Sequence, residues 1–282
     1  MKKIFVAASF LALSLGAFAQ DNAEKSTEGF VSKNGHQVLP QAGDWGVSFD
    51  AIPVLEFVGN TFSNAGNNSI YAGFPSVGAV TARKFIDANT AYRGMFRFDL
   101  GSNTAKFNSS DDNSADPLAT VEDKYSFKNT DILLGVGLEK RKGNSRVQGI
   151  YGAMATLNIV GSKRKYEYGN AFSASNTTPT SREFGFGNVQ GGGAARTLSQ
   201  KVSNGFGIGV AGFIGAEYFI APKLSLGAEF MWGPSIQFGG KLKTETEYWD
   251  GTGVKTTETE TAGGSRIGFN TAVTSINLNF FF

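Results

Sequence analysis

The sequence predicts an all-β protein, an antiparallel up-and-down transmembrane β-barrel of eight strands, with ten as the alternative count. Three observations predict it. Apolar residues recur at every second position through most of the chain after Asp44, the period of a strand with one apolar face. The connections between these stretches alternate between short and long. The composition combines 37 glycines and 25 phenylalanines with 18% charged residues, below the ~25% of an ordinary soluble domain. Composition also excludes whole classes. Without cysteine there is no disulfide scaffold, thiolate site or cysteine nucleophile, and a single histidine, His36, excludes multi-histidine metal sites. A net charge of +2 offers no footprint for nucleic acid.

The elements follow in order. Met1-Lys2-Lys3 is a short positive segment, Ile4 to Leu15 is apolar, and Ala17-Phe18-Ala19 has the small-x-small pattern of a cleavage site. Residues 1–19 therefore read as a secretory signal peptide, since the apolar run is too short to span a bilayer. Losing Lys2 and Lys3 with it leaves cations and anions equal. Residues 20–43 are polar and aperiodic, expected as a mobile periplasmic lead-in, and residues 44–282 form the barrel. Its strands alternate Trp45, Val47, Phe49 and Ala51 with polar residues; a weaker strand lies near Ser76–Ile86. Next come Tyr92–Leu100, Ile132–Leu138, Val147–Ile159, Phe206–Tyr218, Leu224–Phe238 and a last strand through Ile276, Leu278, Phe280 and Phe282.

Three connections are short: Asp87-Ala88-Asn89, Arg141 to Ser145, and Ile220-Ala221-Pro222. Four are long and polar: Val58–Pro75, Ser102–Tyr125, Gly161–Ser203 and Lys241–Gly263. Such segregation is the habit of membrane barrels, with tight periplasmic turns and long outer loops. The aromatic face suits lipid and the glycine-rich face suits a crowded interior, while closure pairs every backbone group. Pro53 and Pro234 fall inside strands and are expected at bulges near the outer rim.

The ending Ile276-Asn277-Leu278-Asn279-Phe280-Phe281-Phe282 resembles the C-terminal assembly signal of Gram-negative outer-membrane proteins, with Ile276, Leu278, Phe280 and Phe282 carrying the pattern. The mature chain resembles the small eight-stranded outer-membrane barrels of the OmpA/OmpX type. Gln37-Val38-Leu39-Pro40-Gln41-Ala42-Gly43-Asp44-Trp45 is similar to the opening of an outer-membrane β-barrel domain family. The resemblance implies secretion to the periplasm, insertion by the barrel-assembly machinery, and contact with outer-membrane lipid and lipopolysaccharide. It departs from the OmpA pattern in having no peptidoglycan-binding domain after the barrel.

No catalytic, cofactor or metal site is expected. Barrel enzymes resembling lipid A deacylases, palmitoyltransferases or omptin proteases use a histidine, but His36 precedes the first strand. Gly239-Gly240-Lys241 lacks the remaining residues of a Walker loop. Asp111-Asp112-Asn113 with Asp116 lacks the glycine and glutamate of a calcium loop and reads as a solvated acidic loop. Lys163-Arg164-Lys165, with Lys241 and Lys243 at matching height, offers cations either to lipopolysaccharide phosphates or to water. Asp50, Arg93, Arg97, Asp99, Glu139, Arg146, Glu217 and Glu229 share the inward parity and are expected to form interior ion pairs, since buried charges must be paired.

In the last long connection, Thr/Glu/Lys alternation on both sides of Asp250-Gly251 predicts that the flanking strands continue as a two-stranded ribbon. Tyr248 and Trp249 at its tip read either as aromatics of an inert ribbon that fold back on neighbouring loops or as the exposed tip of a partner-binding arm. Two function classes follow: a non-enzymatic structural or surface-interaction barrel with an unspecified surface ligand, or a small porin-like channel for ions or solutes. Eight strands leave a lumen that side chains nearly fill, which favours the first.

Overall fold

A computed structural model of the chain describes residues 30–52, 55, 79–182 and 195–282, the side chains of 270–274 apart. The signal peptide, residues 20–29 of the lead-in, Pro53 and the connection Val58–Pro75 lie outside the described residues. Among the described residues there are ten strands: β1 Trp45–Asp50, β2 Val80–Asp87, β3 Thr90–Ser110, β4 Thr120–Lys142, β5 Val147–Glu167, β6 Ala195–Ala221, β7 Leu224–Phe238, β8 Leu242–Trp249, β9 Val254–Thr261 and β10 Ser265–Phe281. Eight of them close on themselves. β1 pairs with β2, each of β2 to β6 with the next, β6 with β7, β7 with β10 and β10 with β1, all antiparallel. β8 and β9 stand outside this ring as a hairpin, with β8 paired to the first residues of β6.

The alternation of side chains builds two surfaces. Tyr92, Phe96, Phe98, Val136, Leu157, Ile208, Ile214, Tyr218 and Phe280 point out and are 37–69% exposed, as a closed ring without a covering layer requires. One outward row runs straight across five strands by register: Phe98, Ile132, Ile159, Phe206 and Phe238. Inward positions carry glycine where the bore is narrow. A Cβ on Gly152 would meet the Leu138 carbonyl oxygen at 2.1 Å and the Phe213 ring at 2.5 Å, so this glycine is what lets Phe213 lie across the lumen.

The short-turn end is capped by the chain itself. The expected mobile lead-in is instead folded over residues 30–43. Val31 bridges Gln37, Val38 and Leu39 are buried, and both pack with Phe85, Ala91, Phe219 and Phe281. Apolar residues this sparse carry no period, so burial here was invisible to pattern. Lys223, in the β6–β7 turn, sits at φ 60° and donates its N–H to the Val38 carbonyl at 3.1 Å while its own carbonyl accepts from Phe281. That left-handed residue fastens the cap, the turn and the chain end to one another.

At the other end, strands run far beyond the length that crosses a bilayer, ~9–11 residues. β3 to β6 have 21, 23, 21 and 27 residues. Most of Ser102–Tyr125, and the two ends of Gly161–Ser203, are therefore strand and not loop. Their upper halves join β8 and β9 in a six-stranded blade ordered β3-β4-β5-β6-β8-β9. The ribbon is not a continuation of β7 and β10. Gly239-Gly240 and Gly263-Gly264 break it away, and at Gly240 a Cβ would lie 1.6 Å from the Ser203 carbonyl oxygen. Only glycine permits this backbone contact. Pro234 is exposed in β7, where the β6–β7 ladder lapses opposite Gly233 and Pro234. The β7–β10 ladder shifts register at Thr271/Val273, close by.

Candidate functional site

Two sites carry chemistry, one inside the ring and one on the blade. Inside, three guanidinium groups face three carboxylates. Glu139 on β4 is wholly buried; its Oε2 accepts from Arg83 Nε at 2.7 Å and Arg93 Nη1 at 3.3 Å, and its Oε1 from Arg141 Nε at 3.1 Å. Glu229 on β7 accepts Arg93 in a two-pronged pair at 2.6 and 2.8 Å. Glu217 on β6 accepts from Arg141 Nη2 and lies 3.2 Å from Arg83 Nη2. Arg83 Nη1 also donates to Ser48 of β1 at 2.7 Å and Asn279 of β10 at 3.1 Å. The network thus touches seven of the eight ring strands. The Phe213 ring packs against it, 4.3 Å from the Arg93 guanidinium, and Arg141 sits 5.2 and 5.1 Å from the rings of Phe85 and Phe281. Equal charge and fork geometry pair every buried ion, while Arg93 Nε, Arg141 Nη1 and Glu217 Oε1 have no hydrogen-bond partner among the described residues.

Of the residues expected inside, Arg93, Glu139, Glu217 and Glu229 are brought together. Arg97 stands one layer higher, paired with Asp131 at 2.9 Å and partly exposed. Asp99 is half-buried opposite Asp131 and Asp50 accepts the Ile52 N–H at 2.9 Å; among the described residues neither has an ion pair. Arg146 lies at the short-turn rim, donating to the Phe219 carbonyl at 2.8 Å. Sequence reasoning missed Arg83, Arg141 and Asp131. Arg83 sits in the weakest-patterned strand, and Arg141 was assigned to a turn although β4 runs on to Lys142. Its place two residues after Glu139 was the available signal.

The blade has a polar core of its own. Asp123 of β4, fully buried, accepts from Ser109 Oγ at 2.6 Å, the Gly169 N–H at 2.8 Å and the Arg182 N–H at 2.7 Å. Asn170 reaches the Ser110 and Thr180 carbonyls. Asp112, Asn113 and Asp116 of the acidic loop are exposed, as expected, and Asp112 also accepts from Asn176 Nδ2 and the Thr180 N–H, both at 2.7 Å. Its slight burial is outweighed by these bonds, which hold its carboxyl below the usual range. Beside this core lies a cavity of about 510 Å³ between β5, β6, β8 and segment 168–171. Arg196 forms one wall, 7% exposed, with Nε on Glu247 at 2.7 Å and its plane over Tyr168 and Phe172 at 4.2 and 4.7 Å. Its Nη1 has no acceptor among the described residues. Burial pushes the Tyr168 phenol up, and its hydroxyl donates to the Thr197 carbonyl at 2.5 Å.

Tyr248 and Trp249 close β8 but are half-buried, not exposed. Tyr248 lies between Ala195 and Lys255 in register, and Trp249 opposite Val254, so cross-strand neighbours cover part of each ring. The C-terminal residues alternate: Phe281 points in and is buried, whereas Phe280 and Phe282 point out at 41% and 69% exposure and Ile276 and Leu278 are half-exposed. His36 is exposed in the capping turn.

No protein-family model matches the chain, and no curated protein matches it. Among solved structures, the chain is similar to the outer membrane protein OprG from Pseudomonas aeruginosa at 9% identity, over 86% of this chain and 98% of that one, with a TM-score of 0.30.

Proposed function

We propose that the chain is a non-enzymatic barrel of the Gram-negative outer membrane, reached by secretion to the periplasm, whose blade engages a surface ligand. The observation that carries this reading is the closed ring with an apolar outward face beneath an outward-projecting blade that has its own core and cavity. In water so large an apolar surface would aggregate, whereas in lipid a ring without edges is the stable solution. The interior argues against the channel: six paired charges are buried within the ring, and Val38 and Leu39 of the 30–43 segment pack at its short-turn end. The cavity suits a hydroxyl-rich ligand bearing an acidic group, such as an acidic saccharide. Arg196 Nη1 offers a donor, Tyr166 offers a ring, and Glu245 and Glu247 offer acceptors. The deciding experiment pairs planar-bilayer current with binding to immobilised acidic and neutral saccharides. The reading expects no steady open-channel current and retention on the acidic saccharide that Arg196→Lys weakens. Steady current without saccharide binding would favour the channel.

A further inference from the structure

Nine lysines lie in the long-loop half of the described residues, and six have a carboxylate. Lys106 pairs with Glu122, Lys124 and Lys165 with Glu167, Lys241 with Glu260, Lys243 with Glu258 and Lys255 with Asp250. The other three, Lys128, Lys163 and Lys201, have neither ion pair nor hydrogen bond among the described residues and are all exposed. They are not scattered. By register Lys128 of β4 lies opposite Lys163 of β5, and Lys163 opposite Lys201 of β6. Directly opposed residues share a face, so three ammonium groups stand abreast on neighbouring strands ~4.8 Å apart. Like charges in that relation destabilise a sheet. The row continues on to Lys243, already neutralised.

The height of the row is as informative as its charge. Lys128 and Lys163 share the outward parity of Ile132 and Ile159 and stand four residues beyond them, ~13 Å along the strand. With the ~35–45° strand tilt of such barrels that is ~10 Å above the last complete apolar row, where the hydrocarbon gives way to headgroups. Lysine stems can bend toward that plane.

We propose that Lys128, Lys163 and Lys201 form a docking shelf for the phosphate headgroup of an outer-leaflet lipid. The proposal rests on the outer-membrane reading of the barrel. Mutual repulsion across the row is relieved when a phosphate lies over it, so lipid binding and barrel stability are coupled.

The experiment compares the full-length mature protein with the Lys128→Gln, Lys163→Gln, Lys201→Gln triple variant in nanodiscs of neutral phosphatidylcholine, with and without diphosphoryl lipid A. Heat-modifiable migration first verifies insertion; absence of insertion in either bilayer would count against the membrane reading itself. In neutral lipid the variant should be at least as heat-stable as the parent, because repulsion is gone. Lipid A should raise the melting temperature of the parent and leave the variant unmoved. Lipid A affinity should fall about fivefold per lysine replaced, roughly a hundredfold for the triple variant. Lys106→Gln, at a paired lysine, should change neither. Equal stabilisation of parent and variant by lipid A would overturn the proposal while leaving the barrel reading intact. So would an equal effect of millimolar inorganic phosphate in neutral lipid, which would mark a free-ion site.

Discussion

Glu139 is the residue on which the interior depends, because three guanidinium groups share its two oxygens. Glu139→Gln leaves the arginines with one carboxylate fewer, and removing one partner of a buried pair costs about 3–5 kcal/mol. The urea midpoint of unfolding from vesicles should drop accordingly. Arg97→Ala, by contrast, removes a pair with side chains 22% and 32% exposed, and should cost less than about 1 kcal/mol. If both variants lost the same stability, burial would not be what ranks these pairs. The network was half legible. Parity placed Arg93, Glu139, Glu217 and Glu229 on one face, but parity cannot say which inward residues share a height. That depends on strand stagger, which set Arg97 with Asp131 and left Asp50 and Asp99 apart.

At the scale of elements, the β8–β9 hairpin is held at its tip by Asp250. Its side chain accepts from the Thr252 hydroxyl and N–H and the Gly253 N–H, each at 2.8 Å, and Gly251 takes φ 95°. These bonds, the Thr252 hydroxyl first, bring the Asp250 carboxyl down to about 2. A lowered folded value means that the cap is fully present above the usual aspartate range, near pH 4, and is lost as pH falls through about 2. Amide resonances of Thr252 and Gly253 should therefore hold position down to about pH 3 and then shift; movement near pH 4 would show an uncapped turn. Asp250→Ala should abolish the low-pH transition. The ribbon was read correctly as strand–turn–strand from its Thr-rich alternation, yet its attachment was not. Pairing with β6 needs the register of residues 195–202, distant in sequence, and that pairing sets Ala195 beside Tyr248, while Trp249 is covered from Val254 of β9. Replacing both with serine should reduce ligand retention at the blade with the urea midpoint unchanged; a lowered midpoint would make them structural.

For the whole molecule, the chain end joins assembly to closure. Trp45 and Phe282 exchange two backbone hydrogen bonds, at 2.8 and 2.9 Å, and Phe281 packs inward on Phe85 and Phe219 at 5.8 and 5.6 Å between ring centres. The Phe282 side chain is 69% exposed. Phe282→Ser should lower the yield of heat-modifiable barrel in outer membranes with little loss of folded stability. Phe281→Ser should also loosen the cap, detected as faster proteolysis at residues 30–43. Equal yields for both and the parent would remove Phe282 from any assembly role.

The sequence by itself determined the strand period, the outward apolar face and the eight ring strands, because each strand's alternation is written within a few residues of itself. Tertiary structure alone decided three things. It folded residues 30–43 into a cap, because Val38 and Leu39 become apolar neighbours only once Phe85, Phe219 and Phe281 converge from three strands. It turned expected loops into a blade, because polar strands with water on both faces show no apolar alternation. And it drew Arg83 and Arg141 into the lumen network, because closing the ring brings Arg83 to Ser48, Glu139 and Asn279 and Arg141 to Glu217, partners 35 to 196 residues away, and no local pattern records a separation of that length.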